Sequence, residues 1–390
     1  MTKRRKIIAV SGARSEYDLL YSVYNKLNDD KDIDFGMIIT GPNLSDKFGK
    51  TSTLIEKDGF KIIDKIYNLI DSDEKLARVS SIGFQIPQLV QSLNREKPDI
   101  VLVAGDREEA ISVTMVCAYM DIAVAHFFGG DIAKDGNIDN AVRYAASKFA
   151  HIHFPTLEEH KHTLLKLGED DWRIYVVGNP ALDRFLSTPP KTKEEILDAL
   201  HAKEWRDEPY CVLIQHSIIT EVEHQSSHIR ETLEAIKGSG VVCFINYPNS
   251  DSGSQAIIEA YQEYVNTFPN QFKVFKNLDR NTYINLLRNA QFLIGNSSSG
   301  LLEAPSLGLP AINVGSRQRG RTHGNNILFV NNQKVEILNA IQKVLTDNAF
   351  LHEVKKCYNP YGDGKSAEKI VETLKTIELN TRLIHKNITY

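Results

Sequence analysis

Short apolar runs recur along the chain, and most are followed by a longer stretch with helical spacing of apolar and polar positions. Lys6–Val10, Phe35–Ile39, Ile62–Ile66, Asp99–Ala104 and Ile122–Phe127 read as strands. Glu16–Leu27, Ser45–Lys57, Asp73–Glu96, Glu108–Tyr119 and Ile138–Phe149 read as helices between or after them, with a break expected near Pro87. Short strands near Ile152 and Ile174 end this half. Ser187-Thr-Pro-Pro-Lys191 reads as a linker, because paired prolines neither continue a helix nor join a central strand. The alternation then restarts. Cys211–Gln215, Val241–Asn246, Phe272–Phe275, Phe292–Ile294 and Ala311–Val314 are expected strands. Val222–Lys237, Gly253–Thr267, Asn281–Arg288, Val335–Leu345 and Ser366–Leu379 are expected helices. Such alternation predicts an α/β protein of two Rossmann-like, doubly wound domains with right-handed crossovers. The expected division is 1–186, 187–365, and a C-terminal helix, 366–390, packing back on the first domain.

Length agrees with two domains, since 390 residues exceed one ordinary core. Hydrophobic content of 42% and charged content of 25% are those of a globular protein. A net charge of −4 leaves no polyanion footprint, so nucleic acid is not an expected partner. No apolar run approaches the roughly 20 residues of a membrane span. The N-terminus passes from basic residues into a strand without a signal-peptide pattern, so a cytoplasmic location is expected. Cys117, Cys211, Cys243 and Cys357 are scattered and read as small hydrophobes.

Polar clusters fall just after expected strands, where open α/β sheets bind ligands. Ile294-Gly-Asn-Ser-Ser-Ser-Gly-Leu-Leu-Glu303 is the most informative. A helix beginning near Leu301 would place the backbone N–H groups of Ser297, Ser298 and Ser299 at its N-terminus, a ready anion site. Glu303, one turn inside, would accept from a ribose diol. A serine-rich helix cap is the plain alternative. Arg317, Arg319 and Arg321 follow the next strand. Arg14, in Ser11-Gly-Ala-Arg-Ser-Glu-Tyr17, is either a surface side chain or a phosphate fork, and the segment is not a dinucleotide loop.

Asp106, in Gly105-Asp-Arg-Glu-Glu109, is either an acid–base group beside Arg107 or a helix cap followed by first-turn acids. Asp131 closes His126-Phe-Phe-Gly-Gly-Asp131, in which His126 reads as a buried orienting group. Asp139 and Arg143, four apart, share a helix face, and a surface ion pair explains them equally well. His216 and Asn249 follow strands of the second half as possible phosphate or substrate contacts. His224 and His228 have metal-ligand spacing on a helix but no evident third ligand, so no metal site is expected.

Taken together, these segments resemble the UDP-N-acetylglucosamine 2-epimerase family, and more closely its hydrolysing branch in sialic-acid-type sugar biosynthesis. The matching segments run in order over residues 6 to 325: Gly12–Tyr17, Gly105–Arg107, Gly129–Asp131, Ile138–Asn140 with Arg143, Gln215-His216, Pro248–Gly253, Gly295–Gly300 with Glu303, and Asn313–Arg321. The resemblance implies a GT-B-like fold with the active site in the interdomain cleft, no metal, no NAD, and a homodimer or homotetramer. It assigns nucleotide contacts to Arg14, His216, Ser297, Ser298, Glu303 and Arg317, and Asn249 stands beside them as a candidate from its position after a strand. Acid–base work falls to Asp106, Asp131 and Asp139, with Arg107 and Arg143 in support.

The implied reaction converts UDP-N-acetylglucosamine to N-acetylmannosamine and UDP through a glycal. The alternatives are the same chemistry on a UDP- or GDP-linked 2,4-diacetamido-2,4,6-trideoxy hexose, and a non-hydrolysing 2-epimerase. A GT-B glycosyltransferase or a silent nucleotide-sugar-binding regulator would share the nucleotide site, but the clustered carboxylates weigh against both. Two departures leave room for a variant sugar. Asp131 stands where the family more often has Glu, and the loop Ile132–Asn137 is longer than in the sialic-acid enzymes.

Overall fold

The computed structural model describes residues 4–72, 74–132, 138–248, 253–276, 278–387 and 389. The chain divides into two compact units, Met1–Arg184 with Tyr361–Tyr390, and Phe185–Pro360.

The first unit holds a six-stranded parallel sheet: β1 (Arg5–Ser11), β2 (Ile33–Thr40), β3 (Ile62–Ile66), β4 (Ile100–Ala104), β5 (Ala123–Phe127) and β6 (Ile152–Phe154), in the order β3-β2-β1-β4-β5-β6. Residues of β1 and β4 are almost all buried because helices cover both faces. Side chains alternate between those faces. Ile7, Ala9, Ile100 and Leu102 pack with the helix Arg14–Asp29 and with Ile370, Val371 and Leu374 of the helix Ser366–Thr376. Ile8, Val10, Val101 and Val103 pack with the helices Lys75–Glu96 and Glu108–Tyr119. Each such burial contributes about 1.5–3 kcal/mol.

The second unit repeats the design with β7 (Tyr210–Ile214), β8 (Val242–Asn246), β9 (Phe272–Phe275), β10 (Phe292–Gly295), β11 (Ala311–Val314) and β12 (Ile327–Val330), all parallel, in the order β12-β11-β10-β7-β8-β9. Both are Rossmann-like orders in which the strand sequence reverses beside the first strand, between β1 and β4 and between β7 and β10.

Three differences from the sequence expectation have physical reasons. The helix Lys75–Glu96 runs through Pro87 without a break. Pro87 and Gly83, four residues before it, are both exposed, so the carbonyl that loses its N–H partner faces water and no Cβ crowds the ring. The stretch expected as one helix over Ser45–Lys57 is a 3-10 turn, Asp46–Phe48, and a short helix, Thr51–Lys57, separated at Gly49 with φ +80. The edge strand β12 was not expected, although Ile327-Leu-Phe-Val330 is an apolar run flanked by polar residues. The four cysteines form no disulfide; three are buried and Cys357 is partly exposed.

Candidate active site

In the first unit the site grows from the carboxyl ends of β1, β4 and β5. Gly105 leaves β4 with φ +79, and its N–H donates to Phe127 O at 3.1 Å. His126, fully buried on β5, has Nε2 at 2.7 Å from Gly105 O and Nδ1 at 3.1 Å from Ser147 Oγ. Only an Nε2–H can bond a carbonyl, so this tautomer fixes the turn that carries Asp106. Burial lowers the His126 pKa to about 3, which keeps the ring neutral and makes it an orienting group.

Asp106 does not cap the following helix. The N-cap residue is Arg107, without a side-chain capping bond. The Asp106 carboxylate is instead bound by the guanidinium of Arg143, which is nearly buried. Burial raises the pKa of Asp106; Arg143 opposes this and the charge of Asp139 adds to it. The surface ion pair considered for Asp139 and Arg143 is therefore replaced by a longer-range one. Arg143 also donates to Asp131 O at 2.9 Å. Asp139 lies 4.0 Å from Arg78. The Asp131 carboxylate accepts from Ile132 N at 2.8 Å and lies 3.4 Å from His160 Nε2.

A cavity of about 920 Å³ within this unit brings together Arg14, Asp106, Arg107, Glu109 and Asp139. Asp131 and His126 are not on its wall. Arg14 is mostly exposed there, 3.5 Å from Asp18.

At the cavity wall Glu109, a first-turn acid in the sequence reading, meets Glu16, to which that reading gives no role. Glu16 Oε2 accepts from Gly12 N at 2.9 Å and Ala13 N at 3.2 Å. Glu109 packs so closely under Gly12 that a Cβ there would sit 1.9 Å from its Oε1, which explains the glycine. Arg107 Nε stands 4.0 Å from Glu16 and 3.8 Å from Glu109. Burial, then the charge of Glu109, pushes Glu16 up to about 8.

In the second unit three strand ends meet at one amide. Asn296, just after β10, accepts from His216 N at 2.6 Å and donates to His216 O at 2.9 Å. Its own carbonyl accepts from Arg317 at 3.2 Å and from Gln318 at 3.0 Å. His216, the serine turn and Arg317 are thus held in register by Asn296, which the motif contained but which was given no role.

The helix expected from Leu301 is a single turn, Ser299–Leu302, followed by a 3-10 turn, Ala304–Leu307. Pro305 and Gly308 stop it. So short a helix has little dipole, and Glu303 closes it from the C-terminal side. Ser297 and Ser298 are half-buried in the turn, and Ser297 Oγ accepts from Ser299 N at 3.3 Å. Tyr283 OH is 2.8 Å from Ser299 Oγ and donates to Glu303 at 3.4 Å. Burial raises the Glu303 pKa, with Ser299, Arg280 and Tyr283 opposing. Of Arg317, Arg319 and Arg321, Arg317 bonds to the turn. Arg319 bonds to Asn331 and Arg321 to Gln318. Asn249 lies outside the described residues. His224 and His228 stack with ring centroids 5.7 Å apart. Among the described residues no group of three His, Cys, Asp or Glu forms a metal cluster, and no helix is long and apolar enough to cross a membrane.

The sequence profile of the family described as UDP-N-acetylglucosamine 2-epimerase matches residues 25–375. The UDP-N,N'-diacetylbacillosamine 2-epimerase (hydrolyzing) of Legionella pneumophila is 32% identical over 386 residues, which is 99% of this chain and 100% of that one. The GDP/UDP-N,N'-diacetylbacillosamine 2-epimerase (hydrolyzing) of Campylobacter jejuni is 33% identical over 388 residues, 98% of both. Among solved structures, the UDP-GlcNAc 2-epimerase of Methanocaldococcus jannaschii superposes with a TM-score of 0.76 at 20% identity, covering 95% of this chain and 99% of that one. That likeness shows the shared fold.

Proposed function

Within the hydrolysing branch of the UDP-N-acetylglucosamine 2-epimerase family, to which this chain belongs, we propose that it acts on a UDP-linked 2,4-diacetamido-2,4,6-trideoxy hexose. It releases the free 2-epimer and UDP. Two relatives above 30% identity carry that sugar class in their names, which favours it over UDP-N-acetylglucosamine. The observation that carries the chemistry is the shared cavity wall of Asp106 and Asp139, with the Asp106 carboxylate held by Arg143 rather than used as a cap.

The C2 hydrogen of such a sugar is not acidic, so its loss is coupled to departure of the diphosphate. A carboxylate takes the C2 proton, the C–H electron pair becomes the C1=C2 bond, and the C1–O pair leaves with UDP. Water then adds to C1 while a proton reaches C2 on the opposite face. Two proton transfers on two faces need two positioned groups. Asp106 and Asp139 take these roles, with Asp131 the third carboxylate of the set. Arg107 and Arg143 bear positive charge beside them, and His126 orients the Asp106 turn. Arg14, His216, Ser297, Ser298 and Arg317 bind the nucleotide and stabilise the leaving diphosphate. Glu303 accepts from its ribose.

Proton NMR in D₂O tests this directly. The expected result is a free sugar carrying deuterium at C2, with UDP released. A product still linked to UDP, or one retaining the original C2 hydrogen, sinks the reading.

A further inference from the structure

The cavity that carries Asp106 and Asp139 has a chemically divided wall. Arg14, Asp106, Arg107 and Asp139 are charged, whereas Phe48, Leu69 and Ile70 present apolar side chains. These three are among the exposed large apolar side chains of the chain, at 49, 37 and 36%. Exposed apolar groups gathered in a cavity mark a surface that something covers.

The wall is also firmly built. Asn68, next to Leu69, accepts from Gly41 N at 2.9 Å and donates to Gln85 at 2.7 Å. Ile70 N donates to Ser81 Oγ at 3.0 Å. Asn43 lies on the same wall, 1% exposed, with its N–H on Gly12 O at 3.0 Å and its side-chain NH₂ on Ser11 Oγ at 3.1 Å. Its Oδ1 is buried with no donor among the described residues.

We propose that this part of the wall is the specificity surface for the C4 and C6 substituents of the sugar. Phe48, Leu69 and Ile70 cover the acetyl methyl and the C6 methyl. This rests on the reading of the site as that of a hydrolysing 2-epimerase. A sugar with hydroxyls at C4 and C6 would lay polar groups on an apolar surface and lose hydrogen bonds to water, the cost by which such a wall discriminates.

The test compares kcat/KM for UDP-2,4-diacetamido-2,4,6-trideoxy-hexose and for UDP-N-acetylglucosamine, in the wild type and in Leu69→Ser and Phe48→Ala. The wild type is expected to prefer the diacetamido sugar, and each variant to lower that preference by about tenfold or more. Both side chains are substantially exposed, so neither change removes core packing. An unchanged preference, or an equal loss on both substrates, overturns the inference and leaves the 2-epimerase reading standing. A wild type that favours UDP-N-acetylglucosamine does the same. Turnover of neither substrate removes the reading itself, and the inference with it.

Discussion

Asp106 shows how one carboxylate is given a working state by its neighbours. Burial raises its pKa, and Arg143 holds that rise in check. A general base is active when ionised, so activity falls as pH drops through its pKa. Removing the guanidinium raises the pKa further. In Arg143→Met the acid limb of the kcat/KM profile is therefore expected to move to higher pH. An unmoved limb would separate Arg143 from the titrating group. Asp106→Asn keeps the shape but not the proton chemistry. Its turnover is expected to fall by about two orders of magnitude or more, while UDP affinity, measured by calorimetry, stays within a few-fold. The residue types at the site were readable from the sequence. Their pairing was not, because Asp106 and Arg143 lie on different elements and the local pattern pointed to Asp139 instead. The Glu16–Glu109 pair was hidden for the same reason: it exists only where the turn after β1 crosses the helix after β4.

Among the elements, strands and most helices were legible because buried parallel strands read as apolar runs and covering helices as periodic ones. The failures came where one residue redirects the backbone. Gly49 splits an expected helix, Pro305 and Gly308 truncate another, and Pro87 is tolerated because its turn faces water. The loops after β7, β10 and β11 are joined through Asn296, whose side chain takes both backbone groups of His216. Asn296→Ala removes that clamp. The expected loss is about 1–3 kcal/mol of stability, read as a lower melting temperature, with UDP bound about tenfold more weakly. Unchanged UDP affinity would show that His216 needs no such anchoring.

On the scale of the whole molecule, the first unit is assembled from two stretches of chain, and the second is one uninterrupted stretch. Ala367, Ile370, Val371, Leu374 and Leu383 belong to the core of the first unit. Arg173 reinforces the closure, donating to Leu383 O at 2.6 Å and Arg382 O at 2.7 Å. A chain ending at Pro360 would lose several burials of about 1.5–3 kcal/mol each, comparable with the whole stability of a typical domain at about 5–15 kcal/mol. Calorimetry of that truncation is expected to lose the unfolding transition of the first unit and keep that of the second. Two retained transitions would mean that the C-terminal segment is dispensable.

The same split sets an order of events during synthesis. When Pro360 has been added, the second unit has its full sequence, while the first still waits for Tyr361–Tyr390. At about 5–20 residues per second, those residues take a few seconds to make. For that interval the helix Arg14–Asp29 is without the helix that covers it. The part of the chain made first is thus the part finished last, and its uncovered apolar face is the one a nascent chain must shield from its neighbours.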